Sequence, residues 1–200
     1  MFLDPISLIF KIIILFPAIT LHEFAHAFMA DKLGDPTPKV MGRLTLNPLA
    51  HLDPLGALAI LFANFGWGKP VMFDPYNLAN PKRDSMLISL AGPASNMLLA
   101  ILLAVLLKFV QVDSLLNIFL QITISMNIGL AVFNLLPVPP LDGSKILAFF
   151  LSNENAAKLE SMPSQYTFFI FLVLILPIAG MSIASRIISP IIDAILHLLL

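Results

Sequence analysis

Apolar residues in this chain come in long unbroken runs separated by short polar, proline-rich segments, and the run lengths predict the elements. The first run, Ile6–Ala30, would rise about 37 Å as a helix, enough for a tilted bilayer crossing. Pro17 removes a backbone hydrogen bond inside it and predicts a kink, Lys11 is expected to snorkel, and Gly34 followed by Pro36 is a stop. Residues 35–54 hold Pro36, Pro38, Pro48 and Pro54 and cannot be helical throughout; Lys39–Asn47 reads as a short strand or hairpin. Leu55–Phe65 is apolar but too short to span. Gly66-Trp67-Gly68-Lys69-Pro70 breaks it, and Val71-Met72-Phe73 is a candidate strand ended by Asp74-Pro75. Met86–Val110 and Leu116–Leu136 are a second and a third span. The third runs into NLLPVPPLDG, whose prolines cannot continue a helix, so Asp142 falls on an unwound segment. Residues 152–163 are polar and read as a loop. Gln165–Ile188 is a fourth span interrupted by Pro177 and Gly180, and Ile191–Leu200 either crosses, lies in the interface or continues that span.

Composition fixes the class. The chain is 58% hydrophobic and only 12% charged, against about 25% charged residues in soluble domains. With the long apolar runs, this predicts an all-α, multi-spanning membrane protein, with a short β element at Val71–Phe73. With no internal repeat or polar linker, residues 1–200 are expected to form a single domain. A net charge of −1 gives no reason to expect a nucleic-acid partner. The N-terminal run does not read as a signal peptide, because Asp4 precedes any basic residue and no small-residue cleavage site follows. There is no cysteine, which excludes disulfides and thiolate metal ligands.

Inside the first run lies His22-Glu23-Phe24-Ala25-His26, an HExxH. Helical positions i and i+4 share a face, one turn apart. His22 and His26 can therefore turn two neutral imidazoles toward one metal ion, with Glu23 beside them. That is the pattern of a zinc hydrolase, whose carboxylate takes a proton from a metal-activated water. Ionisable side chains in hydrocarbon are costly, which weighs against two incidental histidines.

Charge asymmetry relates this motif to Asp142. If Leu55–Phe65 enters the membrane and returns, residues 31–85 and 137–163 share one face and hold eight of the eleven basic residues: Lys32, Lys39, Arg43, Lys69, Lys82, Arg83, Lys145 and Lys158. The positive-inside rule makes that face cytoplasmic and puts the N-terminus outside. His22, His26 and Asp142 then reach the same depth near the cytoplasmic face, and form the expected set of ligands for one zinc per chain, with Glu23 as general base. Asn134 and Asn96 are expected to line a water path to this site.

These stretches resemble the site-2 protease family of intramembrane zinc metalloproteases. HEFAH is similar to the family's HExxH, and NLLPVPPLDG to its NxxPxPxLDG at Asn134, Pro137, Pro139, Leu141, Asp142 and Gly143. AGPASN is similar to the small-residue motif between them, with Gly92, Pro93 and Asn96, and GWGKPV to the membrane-associated strand that precedes that span. The matches cover most of residues 20–145; little in 165–200 adds to them. The resemblance implies a site-2 protease-like helical core at about residues 6–150, followed by C-terminal helices at about 165–200. It implies zinc on His22, His26 and Asp142, water activation by Glu23, and Asn134 positioning substrate or polarising the scissile carbonyl. It implies a multi-pass protein of the cell (inner) membrane that cleaves transmembrane proteins or peptides within the lipid bilayer. The chain is similar to the compact bacterial or archaeal branch, without the PDZ or CBS modules of other branches.

His51, near the expected site entrance, reads either as a loop histidine bonded to backbone or as a substrate-supporting contact. His197 reads as an interfacial or packed histidine, and Asn127 as a hydrogen-bonding link between helices. A peptide bond in a membrane helix must be opened before attack, and its freed backbone groups then need partners. Lys69–Phe73 is the expected strand edge for this, with Val71 and Met72 as pairing donors. The alternatives to a protease are a membrane metal transporter, which would need ligands spread across the bilayer and leave Glu23 idle, and an inactive homologue that binds membrane helices.

Overall fold

The computed structural model describes residues 5–54, 56, 68–178 and 180–200. Among these the chain is mostly helical: α1 Pro5–Lys32, α2 Thr37–Val40, α3 Pro81–Phe109, α4 Ser114–Asn134, α5 Asp142–Phe150, α6 Asn153–Glu160, α7 Ser164–Ile175 and α8 Ile183–Leu199. A two-stranded antiparallel hairpin, β1 Pro177–Ile178 and β2 Met181–Ser182, joins α7 to α8. Among the described residues, three helices are long and apolar enough to cross a membrane: Ile12–Lys32 within α1, then α3 and α4. The expected all-α, multi-spanning architecture is therefore the one observed.

The chain packs as two compact units, Met1–Asp84 and Ser85–Leu200. In the first, α1 runs through Pro17 without ending. Ile14, Ala18, His22, His26 and Ala30, each four residues after the last, are all buried. They make one continuous strip down the helix, so both histidines of the motif lie on a buried face. After Gly34 (φ +103) the chain turns onto Asp35, which is wholly buried. Its Oδ1 accepts from the Thr37 amide (3.0 Å), the Thr37 hydroxyl (2.6 Å) and Asn77 Nδ2 (2.8 Å), and its Oδ2 from the Asp74 amide (2.8 Å). One carboxylate thus ties the end of α1 to the segment around residue 75.

In the second unit the core is Ala100, Ala104, Ile124, Ile128, Val132, Leu141, Leu174, Ala184 and Ile188. The small residues of α3 let backbones approach closely, and Ile124, Ile128 and Val132 form the i, i+4 strip of α4 that faces them. Asn96 of α3 and Asn127 of α4 are both fully buried, and Asn96 Nδ2 donates to Asn127 Oδ1 at 3.0 Å. Asn127 is the expected link between helices.

Several expectations need correction. Lys39–Asn47 is not a strand: Thr37–Val40 is a helical turn with prolines in its first positions, followed by a turn at Gly42 (φ +69). Proline pre-sets the helical φ there. Val71–Phe73 forms no strand; the nearest pairing is a single antiparallel bridge between Leu52 and Gly68. The observed strands lie instead around Gly180 (φ +88), where Pro177 ends α7, so Gln165–Ile188 is two helices and not one span. Residues 183–199 continue as one helix through Pro190. The polar stretch 152–163 is mostly helix, because Ser152 caps α6 and Glu154 pairs with Lys158 at 2.6 Å, one turn on. Asp142 lies not on the unwound segment but at the first position of α5, just after it. The expected re-entrant stretch Leu55–Phe65 lies outside the described residues, Gly56 excepted.

Candidate metal centre

The helical spacing of the HExxH puts its two imidazoles edge to face, with ring centroids 4.6 Å apart. Both rings are at least nine-tenths buried, at 5% and 7% exposure. Glu23, between them in sequence, is half-buried and points elsewhere on the helix. Its Oε2 accepts a hydrogen bond of 2.8 Å from the backbone N–H of Val71.

The segment that supplies this donor is held from both sides. The Lys69 amide donates to His51 O at 2.8 Å, and the Arg43 guanidinium donates to Lys69 O and to Ala50 O. Arg43 is buried. Burial pushes its guanidinium below the usual pKa of arginine, and the Glu23 carboxylate pulls it back up. Gly68 lets the segment lie flush on α1. A Cβ there would come within 2.6 Å of Ile19 Cγ2, 3.1 Å of His51 O and 3.8 Å of Glu23 Oε1. The expectation that Val71 offers its N–H to a substrate fails, because that donor is engaged by Glu23. In extended backbone, alternate residues face opposite sides. The outward side of this segment is therefore Pro70, which has no donor, and the exposed Met72.

In the second unit, Asn134 closes α4, and its Nδ2 donates to Leu130 O at 2.9 Å. The chain unwinds over 135–141 and restarts as α5 at Asp142. Gly143 makes this tight turn possible: a Cβ there would sit 2.2 Å from Leu135 O and 2.3 Å from Leu136 O. Lys145, one turn after Asp142, has its pKa lowered by burial, an effect opposed by the carboxylates of Asp142 and Glu160.

His22 and His26, one turn apart on the buried face of α1, and Asp142, at the start of α5, are the residues that could hold a metal ion. Two imidazole nitrogens and one carboxylate oxygen fit a catalytic zinc, which takes three protein ligands and leaves a position open. The other expected site residues are placed differently. Asn96 is buried against Asn127. His51 is wholly buried, its Nε2 2.7 Å from Thr45 O, which is the backbone-bonded alternative of its two readings. Arg43 and Gly68 were not expected at the site, and the Val71 amide was expected to meet substrate and not Glu23. Nothing local in the sequence marks Arg43 as buried.

Residues 111–178, which include the turn and Asp142, match the family described as Peptidase family M50. Relatives whose names contain the words zinc metalloprotease include YwhC of Bacillus subtilis (strain 168), 42% identical over 180 residues, covering 85% of this chain and 82% of that protein. Rip2 of Mycolicibacterium smegmatis is 36% identical over 174 residues, covering 80% of this chain and 63% of that protein. MJ0392 of Methanocaldococcus jannaschii is 30% identical over 144 residues, covering 71% of this chain and 34% of that protein. No solved structure matches. With so large a share of YwhC aligned at that identity, and the M50 match lying over the Asp142 turn, the chain belongs to peptidase family M50, the site-2 protease family.

Proposed function

We propose that this protein is an intramembrane zinc metalloprotease that hydrolyses peptide bonds within or next to transmembrane segments. The observation that carries the reading is the HExxH on a buried helix face, with the His22 and His26 rings one turn apart and their centroids 4.6 Å from each other. These three residues would hold a single zinc per chain. When bound, zinc supplies Lewis acidity at the scissile carbonyl and lowers the pKa of water to about 7.

The chain's own residues do the rest. Glu23, anchored through Oε2 on the Val71 amide, uses its other oxygen to take a proton from the attacking water and return it to the leaving amine. Asn134, at the end of α4, is the candidate for orienting the substrate carbonyl. Asn96 and His51 support the framework around the site. An opened substrate segment needs partners for its backbone groups, each costing several kcal/mol if left bare in hydrocarbon. Met72 and the Pro70 carbonyl, on the outward side of the 69–73 segment, are placed to supply them. Residues 1–200 act as one peptidase domain in the cell membrane, with the site near the cytoplasmic face and the N-terminus outside.

The test is incubation of purified protein with single-span membrane substrates, with and without zinc chelation. Cleavage that chelation abolishes, and that Gly or Pro near the scissile bond speeds, supports the proposal. Chelator-resistant cleavage, or none across a broad substrate set, overturns it.

A further inference from the structure

Arg43 is an arginine in an expensive place. It is 4% exposed, and its Nε has no partner among the described residues. A buried guanidinium is tolerated only when well hydrogen-bonded, and an apolar side chain usually fills such space at lower cost. The two bonds it does make are to carbonyls far apart in sequence, Ala50 O and Lys69 O.

The second of these reaches the candidate catalytic group. Lys69 lies two residues before Val71, so in extended backbone their N–H and C=O groups face the same side. On that side the Lys69 carbonyl accepts from Arg43, the Lys69 amide donates to His51 O, and the Val71 amide donates to Glu23 Oε2 at 2.8 Å. Fixing Lys69 at both its carbonyl and its amide fixes the direction of the next amide on that face. Burial lowers the Arg43 pKa, and the Glu23 carboxylate opposes that lowering. Gly68 completes the arrangement by letting the segment lie against Ile19 of α1.

We propose that Arg43 is a positioning residue for peptide hydrolysis: by clamping the Lys69 carbonyl it holds the Val71 amide against one oxygen of Glu23 and so aims the other. The inference rests on the reading of Glu23 as the general base. The guanidinium touches neither substrate nor metal; it acts through backbone. Lysine cannot replace it, because a single ammonium does not span two carbonyls as a planar fork does.

The experiment uses the full chain in detergent, loaded with zinc, as wild type, Arg43→Lys, Val71→Pro and the double variant. Hydrogen–deuterium exchange at the Val71 amide is the readout independent of activity. In Arg43→Lys it should speed up by about tenfold or more, while zinc content stays at the wild-type level. On a single-span peptide with a Gly-Pro break, kcat should fall roughly ten- to hundredfold, the cost of about 1 Å of misplacement, with KM within about twofold. Val71→Pro removes the donor itself, so adding Arg43→Lys to it should change kcat by less than about twofold. Unchanged exchange at Val71 in Arg43→Lys overturns the inference, as does a double variant in which the two losses multiply. If the wild type cleaves nothing, the functional reading fails, and Val71 exchange still decides the role of Arg43.

Discussion

Gly143→Ala is the substitution whose cost the structure defines most sharply. The added Cβ would lie 2.2 Å from Leu135 O and 2.3 Å from Leu136 O. Both atoms are backbone, so no side chain can rotate away. Ordinary carbon contacts begin more than 3 Å out, so the turn or the first residues of α5 must move by about 1 Å. Overpacking of this kind costs about 1–3 kcal/mol, and the upper end applies where the obstacle is backbone. Asp142 is the residue beside it, and metal–ligand distances tolerate only about ±0.2 Å. A shift several times larger should weaken zinc binding by at least the roughly ten- to hundredfold seen when the surroundings of a metal ligand are disturbed. The assay is zinc affinity by competition with a chromogenic chelator, alongside the thermal unfolding midpoint in detergent. Gly129→Ala is the control: its Cβ would meet Ile192 Cδ1 at 3.5 Å, an ordinary contact, and should leave both readings unchanged. Wild-type zinc affinity in Gly143→Ala would refute the role given to this turn.

Three further outcomes are expected. Burial alone would raise the Asp35 carboxyl, but its hydrogen bonds to Thr37, Asn77 and Asp74 hold it below the usual 3.8. Its stabilisation is therefore complete above that value and lost as pH falls through the lower folded value. Asp35→Asn should cost about 1.5–3 kcal/mol near neutrality and flatten the acid limb of the unfolding midpoint measured on metal-free protein; an acid limb as steep as wild type would contradict this. Asn96→Ala should cost about 1–3 kcal/mol by leaving Asn127 Oδ1 buried without that donor, and a double-mutant cycle with Asn127 should show coupling between the two. Because the chain has no cysteine, single cysteines can be labelled cleanly. Positions Lys39, Lys82 and Asn155 should react from the cytoplasm and Asp113 from outside, and opposite sidedness of Lys39 and Lys82 would break the proposed topology.

What the sequence disclosed follows from how local each signal is. The HExxH needs only the i, i+4 geometry of one helix, and the strip through Ile14, Ala18, His22, His26 and Ala30 bears this out. The spans at α3 and α4 follow from hydropathy and length, and the proline run after Asn134 forecast the unwinding that leads into Asp142. The missed features depend on partners distant in sequence. Val71 meets Glu23 across 48 positions, so a stretch that reads as a strand edge instead gives its inward donor to a carboxylate. Arg43 reads as one of the basic residues that set membrane orientation, and nothing local marks it as buried. The helix Asn153–Glu160 was hidden by its polarity, although Ser152 and the Glu154–Lys158 spacing were in plain view as a cap and an i, i+4 pair. Around Pro177 and Gly180 the breaks were visible, but that the chain turns back as a hairpin depends on the pairing of Ile178 with Met181.

The most direct test of the central claim is paired measurement of bound zinc and proteolysis in Glu23→Gln. The substitution keeps the size of the side chain and leaves His22, His26 and Asp142 untouched. An amide, however, has no basic oxygen to take up a proton. The account predicts one zinc per chain, as in wild type, with cleavage of a single-span membrane substrate reduced to background. Wild-type turnover in Glu23→Gln would contradict it.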